Sequence, residues 1–273
     1  MSNYIHIAGS PRTGIVLLGD DGTVRSLGQV EPASSWLDSP KAAGFVPGEA
    51  LFSCLLGDGA HFTTVAHDTA IRYLSTLGQP SARWKDVAPP PAGTGMAGLA
   101  GDHQDGYLLL AADGQGLYRL DRAADGSSGW SGWKPCAAPP LRGKATLIAG
   151  DWQHGVLAVG DGVAAKLACS DAGDAWTALP APPVAIEMMT GNFHDGYIAY
   201  GEGRLCMLDA GAQPRWRFLP TPDYDFRALS GNPADGLAAV LADSSGNGAL
   251  VAYALRPERG PWSLALAPQA RRR

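Results

Sequence analysis

The stretch Gly191-Asn192-Phe193-His194-Asp195-Gly196-Tyr197 lies between two apolar runs, Met188-Met189-Thr190 before it and Tyr197-Ile198-Ala199-Tyr200 after it. Asn and Asp side chains bond the backbone a residue or two on, and glycine adopts positive φ without steric cost, so this is a tight polar turn between two strands. The same signal returns as Gly9-Ser10-Pro11-Arg12-Thr13-Gly14, Gly101-Asp102-His103-Gln104-Asp105-Gly106, Gly150-Asp151-Trp152-Gln153-His154-Gly155 and Gly231-Asn232-Pro233-Ala234-Asp235-Gly236. A sixth copy, Gly57-Asp58-Gly59-Ala60-His61-Phe62, has Phe62 in place of the second glycine. The mean spacing between first glycines is about 44 residues, a period typical of repeat architectures.

Tryptophan repeats in step. Trp36, Trp84, Trp133, Trp176, Trp216 and Trp262 each follow their repeat's first glycine by roughly the same interval. Within a repeat the pattern resolves into four short strands. In the fourth, Lys144–Ala149, Gly155–Val159, Val163–Cys169 and Trp176–Leu179 are separated by the glycine turn, by Gly160-Asp161-Gly162 and by Ser170–Asp174, and the last is stopped by Pro180-Ala181-Pro182-Pro183. No stretch has the periodicity of an amphipathic helix. Four strands per repeat and six repeats predict an all-β, six-bladed β-propeller with each blade drawn from one continuous repeat. The repeats fall at about 4–48, 49–93, 94–140, 141–182, 183–222 and 223–268, within a single domain at 1–268. Two positions before each glycine stand Ile7, Leu55, Leu99, Ile148, Met189 and Leu229, all large and aliphatic, as inter-sheet packing requires. The repeated Trp is expected to wedge between blades.

The bulk numbers agree with this. The chain has 273 residues, 45% of them hydrophobic, enough for a sizeable core. With 36 Gly and 21 Pro it suits a protein of many turns. A net charge of −5 argues against nucleic acid as the main partner. Its one basic run, Arg271-Arg272-Arg273, belongs to an expected disordered tail at 269–273. No apolar run is long enough for a membrane span, and no secretion signal is seen at the start. The four cysteines Cys54, Cys136, Cys169 and Cys206 form no CxxC pair and read as free thiols in a reducing compartment, so a cytoplasmic, monomeric protein is expected.

Candidate functional residues fall on two rims. The glycine-turn rim carries His61, His103, His154 and His194 with several aspartates. Imidazole and carboxylate suit a metal, but packed sheets lie about 10 Å apart while metal donors sit at about 2.0–2.3 Å, so turn chemistry is the preferred reading and no metal or cofactor is expected. On the opposite rim, Asp20-Asp21-Gly22, His67-Asp68, Asp113-Gly114, Asp161-Gly162, Glu202-Gly203 and Asp243 are expected to form type I′ hairpin turns. The links onto the inner strands are less regular. Four positions before the glycine the residues are Ile5, Ser53, Ala97, Thr146, Glu187 and Arg227. Glu187, Asp223, Asp225, Arg227 and Tyr224, with Tyr4 and His6 from the first repeat, are the candidate ligand-binding residues. Arg142 and Lys144 stand at the fourth link. Carboxylates could supply acid/base or orienting groups, Arg227 an anion clamp and Tyr224 a stacking face. Glu187 and Arg227 could equally form a structural ion pair.

The stretch Cys169-Ser170-Asp171-Ala172-Gly173-Asp174-Ala175-Trp176 resembles the Asp-box of BNR, sialidase-like propellers, S/T-x-D-x-G-x-T-W: Asp171, Gly173 and Trp176 match, while Cys169 and Ala175 depart from it. The resemblance implies a propeller with the box as a structural turn on the outside of a blade. The arginine triad and Tyr/Glu nucleophile pair of a sialidase do not recur, nor does an arginine in register as in lectin propellers. No Ser/His/Asp elbow, phosphate loop or zinc spacing is present. The expected function is therefore a non-catalytic binding scaffold presenting a rim or channel mouth to a protein partner or to a small-molecule or sugar ligand. The alternatives are a glycosidase, lyase or lactonase at that mouth, or a lectin.

Overall fold

The computed structural model describes residues 3–30, 34–47, 52–123, 129–141, 143–168, 175–209, 211–242 and 248–265. All the secondary structure in them is strand. Blade one comprises β1 (Tyr4–Ser10), β2 (Gly14–Gly19), β3 (Val24–Leu27) and β4 (Leu37–Ser39). Blade two comprises β5 (Ser53–Gly57), β6 (Thr63–His67), β7 (Ala70–Leu74) and β8 (Lys85–Asp86). Blade three comprises β9 (Met96–Asp102), β10 (Gly106–Ala111), β11 (Leu117–Arg122) and β12 (Trp130–Pro135). Blade four comprises β13 (Leu147–Asp151), β14 (Gly155–Gly160), β15 (Val163–Ala168) and β16 (Ala175–Leu179). Blade five comprises β17 (Met188–Asn192), β18 (Gly196–Gly201), β19 (Arg204–Asp209) and β20 (Arg215–Phe218). Blade six comprises β21 (Phe226–Asn232), β22 (Gly236–Ala242), β23 (Gly248–Ala254) and β24 (Ser263–Ala265).

Each sheet is a four-stranded antiparallel meander of consecutive strands. The chain is a six-bladed β-propeller, and each blade is one continuous repeat. β1 pairs with β2 and β24 with β23, so among the described residues no strand is exchanged between the first and last blades.

The residues cluster in two compact units. The first is Met1–His67, Arg72–Lys85 and Pro220–Arg273, and the second is Asp68–Ile71 with Asp86–Leu219. In the first unit, Ile7 is buried against Ala238, Val240 and Val251 of blade six, and Leu55 against Val16, Leu18 and Val24 of blade one. In the second, Ile148 packs on Leu108, Leu110 and Leu117 of blade three, and Met189 on Leu157, Val159 and Ala164 of blade four. Each of these aliphatic positions thus fills the face of the preceding blade, as ~10 Å sheet-on-sheet packing demands.

The repeated tryptophan has a second task. Its indole Nε1–H donates to a carbonyl in the link behind the preceding blade. Trp84 reaches Pro40 at 3.0 Å, Trp133 reaches Ala88 at 3.0 Å, Trp176 reaches Ala137 at 2.9 Å and Trp216 reaches Pro180 at 2.9 Å. The carbonyl of a link that leaves the sheet ladder needs such a donor. In blade six the Trp262 Nε1 is buried with no acceptor among the described residues. Trp84→Phe keeps the wedge and removes the donor. A loss of about 1 kcal/mol, the net worth of one partly buried hydrogen bond, is expected in urea denaturation.

The glycine turns are built as their sequence implies. In blade five, Gly191 (φ 108°) pairs with Tyr197 and Gly196 (φ 94°) with Asn192. A Cβ on Gly191 would collide with the Gly196 carbonyl oxygen. In blade two, where Phe62 replaces the second glycine, Gly59 (φ 77°) is pressed against the Gly14 carbonyl of blade one.

The opposite hairpins correct one expectation. Asp161 and Gly162 (φ 49° and 71°) and Glu202 and Gly203 (φ 51° and 72°) both have two left-handed residues, as type I′ requires. In blades one and three only Gly22 (φ 76°) and Gly114 (φ 70°) are left-handed. There the Gly22 N–H donates to Gly19 O and the Gly114 N–H to Ala111 O, each at 2.9 Å, which makes a type I turn followed by a left-handed glycine. At Asp68 (φ 52°) only the first turn residue is left-handed, which also departs from type I′. Asp243 lies outside the described residues, as do Arg142, the Asp-box-like run up to Asp174 and the tail at 269–273.

Candidate functional site

The Asp or Asn that follows the first glycine in blades two to six accepts from the backbone of its own turn. The Asp58 Oδ1 accepts the N–H groups of Ala60, His61 and Phe62 at 3.0, 2.8 and 3.2 Å. The Asp102 Oδ1 accepts those of Gln104 and Asp105 at 2.6 and 2.9 Å. The Asn192 Oδ1 accepts those of His194 and Asp195 at 2.9 and 2.8 Å, while its Nδ2 donates to Asp195 Oδ2 at 3.2 Å. Burial alone would raise the Asp58 pKa; the donors from His61, Phe62 and Ala60 outweigh it and hold the carboxyl below its usual range. At Asp102 burial wins, helped by the charges of Asp105 and Asp151, and the pKa is raised.

In the second unit the same rim also clasps neighbouring blades. The Gln153 Nε2 donates to Asp105 Oδ2 at 3.0 Å, and the His194 ring stacks on His154 with centroids 5.0 Å apart. Arg119 lies over the Trp152 ring at 5.1 Å and Lys166 over Phe193 at 4.1 Å. His154 is held by Asp151 at 2.9 Å. Among the described residues, no group of three or more His, Cys, Asp or Glu side chains is placed to hold a metal ion.

Glu187 is exposed, in the second unit, and forms a local clasp. Its Oε1 accepts the Glu202 N–H at 3.3 Å, while the Glu202 Oε1 accepts the Ala185 N–H at 3.2 Å. Its own N–H continues the ladder to Tyr200 O at 2.9 Å. These bonds fasten the link onto the hairpin whose left-handed Glu202 they support.

The remaining candidates lie in the first unit. Tyr4 is 4% exposed, with its hydroxyl accepting from Arg25 Nη1 at 3.3 Å. Burial raises its pKa, against the opposing pull of Arg25. Arg25 in turn pairs with Asp38 at 2.7 Å, so Tyr4 is part of the packing of blade one.

Blade six presents a different surface. Asp223, Asp225 and Arg227 are exposed along the lead-in and start of β21, and Tyr224 is half-buried between the two carboxylates. The Tyr224 N–H donates to Pro222 O and the Asp225 carbonyl accepts from Ala242 N–H, both at 2.9 Å, which fixes the backbone between the two exposed aspartates. The Tyr224 ring meets Phe226 edge-on at 6.4 Å, and Phe226 meets Trp262 at 5.4 Å. Arg227 occupies a β-bulge between Phe226 and Ala228. Ile5 sits at the same point of a bulge between Tyr4 and His6. Bulges re-aim a side chain and are enriched beside functional sites.

His6 follows the blade-one bulge. Its Nε2 lies 2.8 Å from the Ser53 Oγ at the start of β5, which joins the inner strands of blades one and two. Burial pushes the imidazole pKa down to about 4. The unfolded chain therefore binds more protons at His6 than the folded one between its ordinary value near 6.5 and about 4. Stability is fully present above that window and falls as pH drops through it, by up to about 3 kcal/mol. His6→Gln is expected to flatten this part of the pH–stability profile measured by urea denaturation. Sequence reasoning placed His6 and Ser53 in separate series. His6 stands three positions before Gly9 and Ser53 four before Gly57, so the repeat register alone does not pair them.

No family model matches the chain, and no curated protein matches it. Solved structures do. A streptogramin B lyase superposes with a TM-score of 0.59 at 13% identity, over 97% of this chain and 94% of that one. A Myceliophteria thermophila Cps50 (Swd1) β-propeller domain gives 0.55 at 10% identity, over 88% and 80%. YCF48 bound to a D1 peptide gives 0.54 at 14% identity, over 94% and 79%. At these identities the likeness is one of fold.

Proposed function

We propose that the chain is a non-catalytic binding scaffold that engages a protein or small ligand through the link-side mouth at blade six, with Asp223, Tyr224, Asp225 and Arg227 as contact residues. The observation that carries this reading is the contrast between rims. The Asp and Asn side chains of the glycine turns accept from the turns' own backbone, whereas the carboxylates of Asp223 and Asp225 stand exposed on either side of a partly buried aromatic, with the exposed Arg227 two residues on, the composition of a recognition patch. The resemblance to Asp-box propellers fits a scaffold role, since that box is structural. The peptide bound by YCF48 and the lyase activity named for other neighbours illustrate what this fold can host. An enzyme at the same mouth would need an activated group. The His6–Ser53 contact has the spacing of a nucleophile and its base, but an imidazole with a pKa pushed down to about 4 is a poor acceptor for a hydroxyl proton. The reading is tested by placing a photo-crosslinking side chain at Tyr224 and, as a control, at His61. Ligand or partner captured from native lysate at Tyr224 and not at His61 supports it. Capture at His61 alone contradicts it.

A further inference from the structure

We propose that Tyr224, with Asp223 and Asp225 on either side of it, receives a single arginine side chain from a peptide segment of a partner protein. The proposal rests on the blade-six reading above and names the chemistry of its partner.

The way the chain treats its other aromatic rings carries the inference. Five described rings are each covered by a basic side chain of the chain itself. Lys85 lies over Tyr73 at 5.7 Å, Arg119 over Trp152 at 5.1 Å, Arg122 over Trp130 at 4.3 Å, Lys166 over Phe193 at 4.1 Å and Arg204 over Phe218 at 3.7 Å. A cation within about 6 Å of a ring centre is drawn to its electron-rich face. Tyr224 is half-buried, and its ring meets Phe226 edge-on at 6.4 Å. Among the described residues no Lys or Arg lies over it.

The flanking carboxylates differ from others of the chain in the same sense. Asp21 is paired with Lys41 at 2.6 Å, Asp38 with Arg25 at 2.7 Å and Asp121 with Arg119 at 2.9 Å. Asp223 and Asp225 are exposed, and among the described residues neither carboxylate has a hydrogen-bond or ion-pair partner. The Tyr224 N–H bond to Pro222 O makes a three-residue turn centred on Asp223, and the Asp225 carbonyl is held by Ala242. Ring and carboxylates thus share one short, fixed segment, so docking a cation there orders little of the chain.

The composition selects among cations. Calcium takes about six to eight oxygen ligands, more than two carboxylates supply. A guanidinium is planar, stacks on an aromatic face and carries N–H donors along its edges, so it suits a ring with a carboxylate on each side better than the point charge of an ammonium does. Arg227, exposed two residues beyond Asp225, adds a positive charge that disfavours a polyamine or a run of basic residues. The occupant is therefore one isolated arginine.

The test is an NMR titration of the full chain, at fixed ionic strength, with the peptide acetyl-Gly-Ala-Arg-Ala-Gly-amide, reading the Tyr224 amide and ring signals. The comparisons are the same peptide with citrulline or with lysine in place of arginine, and spermidine. A saturable Tyr224 shift with the arginine peptide is expected, with weaker binding of the lysine peptide and of spermidine and no saturable shift with citrulline. Asp223→Asn and Asp225→Asn should each weaken binding of the arginine peptide about tenfold, the value of one charge-assisted bond, with the melting temperature unchanged. No saturable shift, an equal shift with the citrulline peptide, tighter binding of lysine peptide or spermidine, or unchanged affinity when both aspartates are replaced overturns the proposal. If crosslinking at Tyr224 still captures a ligand in that case, the arginine site fails and the scaffold reading stands.

Discussion

Leu157→Ala is expected to destabilise the protein by about 2–5 kcal/mol, the cost of emptying a fully buried leucine position. Leu157 lies on β14 with no exposed surface and contacts Val159, Ala164, Tyr197 and Leu208, with Met189 and Phe193 packed on the same cluster. It therefore belongs to the seam between blades four and five. Alternating residues of a central strand face opposite neighbours, so a cavity here loosens one seam and leaves the sheet's own ladder intact. Urea denaturation should show a lower midpoint with an unchanged slope. Leu157→Ile, which conserves volume, should cost less than about 1.5 kcal/mol. A loss below about 1 kcal/mol for the alanine variant would mean that the blades are not packed through this residue.

Gly191→Ala should cost about 2 kcal/mol or more, although it adds a single methyl group. Two effects combine. At φ 108° an L-residue is strained by roughly 1–2 kcal/mol. The new Cβ would also strike the Gly196 carbonyl and come within 3.0 Å of the Tyr197 Cα, neither of which can move without breaking the register of β17 on β18. Gly93 separates the two contributions. Its φ is 77°, and a Cβ there would meet nothing within 4 Å. Gly93→Ala should therefore cost only the backbone strain, about 1 kcal/mol. Equal losses at the two sites would show that the turn relaxes around the added methyl group.

The fold was legible in the sequence because its signals are local and repeated. The glycine turn needs residues within one short window: Asn192 bonds His194 and Asp195, and Asp58 bonds Ala60 and His61. Such contacts leave a compositional trace at each recurrence. The aliphatic position before the turn was legible for the same reason. The hairpin types were only half legible. Asp-Gly serves both a type I′ turn and a type I turn followed by a left-handed glycine, and the choice at Gly22 and Gly114 depends on where the flanking strands end. The tryptophan bonds were hidden because each indole finds a carbonyl in another repeat, as Trp84 does at Pro40. The His6–Ser53 contact was hidden likewise, since it joins residues from two repeats through inter-blade register. Tyr4 illustrates the converse. Its position beside His6 suggested a mouth residue, but strand alternation and the Arg25–Asp38 pair place it in the packing of blade one.

We propose that recognition belongs to the blade-six lead-in and not to the histidine-bearing turns. It is tested most directly by comparing two variants of the full chain for capture of the ligand or partner identified by crosslinking. One variant combines Asp223→Ser, Tyr224→Ala and Asp225→Ser; the other combines His61→Ala and His194→Ala. The account expects the first to lose capture by tenfold or more with its melting temperature unchanged, and the second to retain capture. Loss of capture in the histidine variant, with the blade-six variant binding normally, would contradict it.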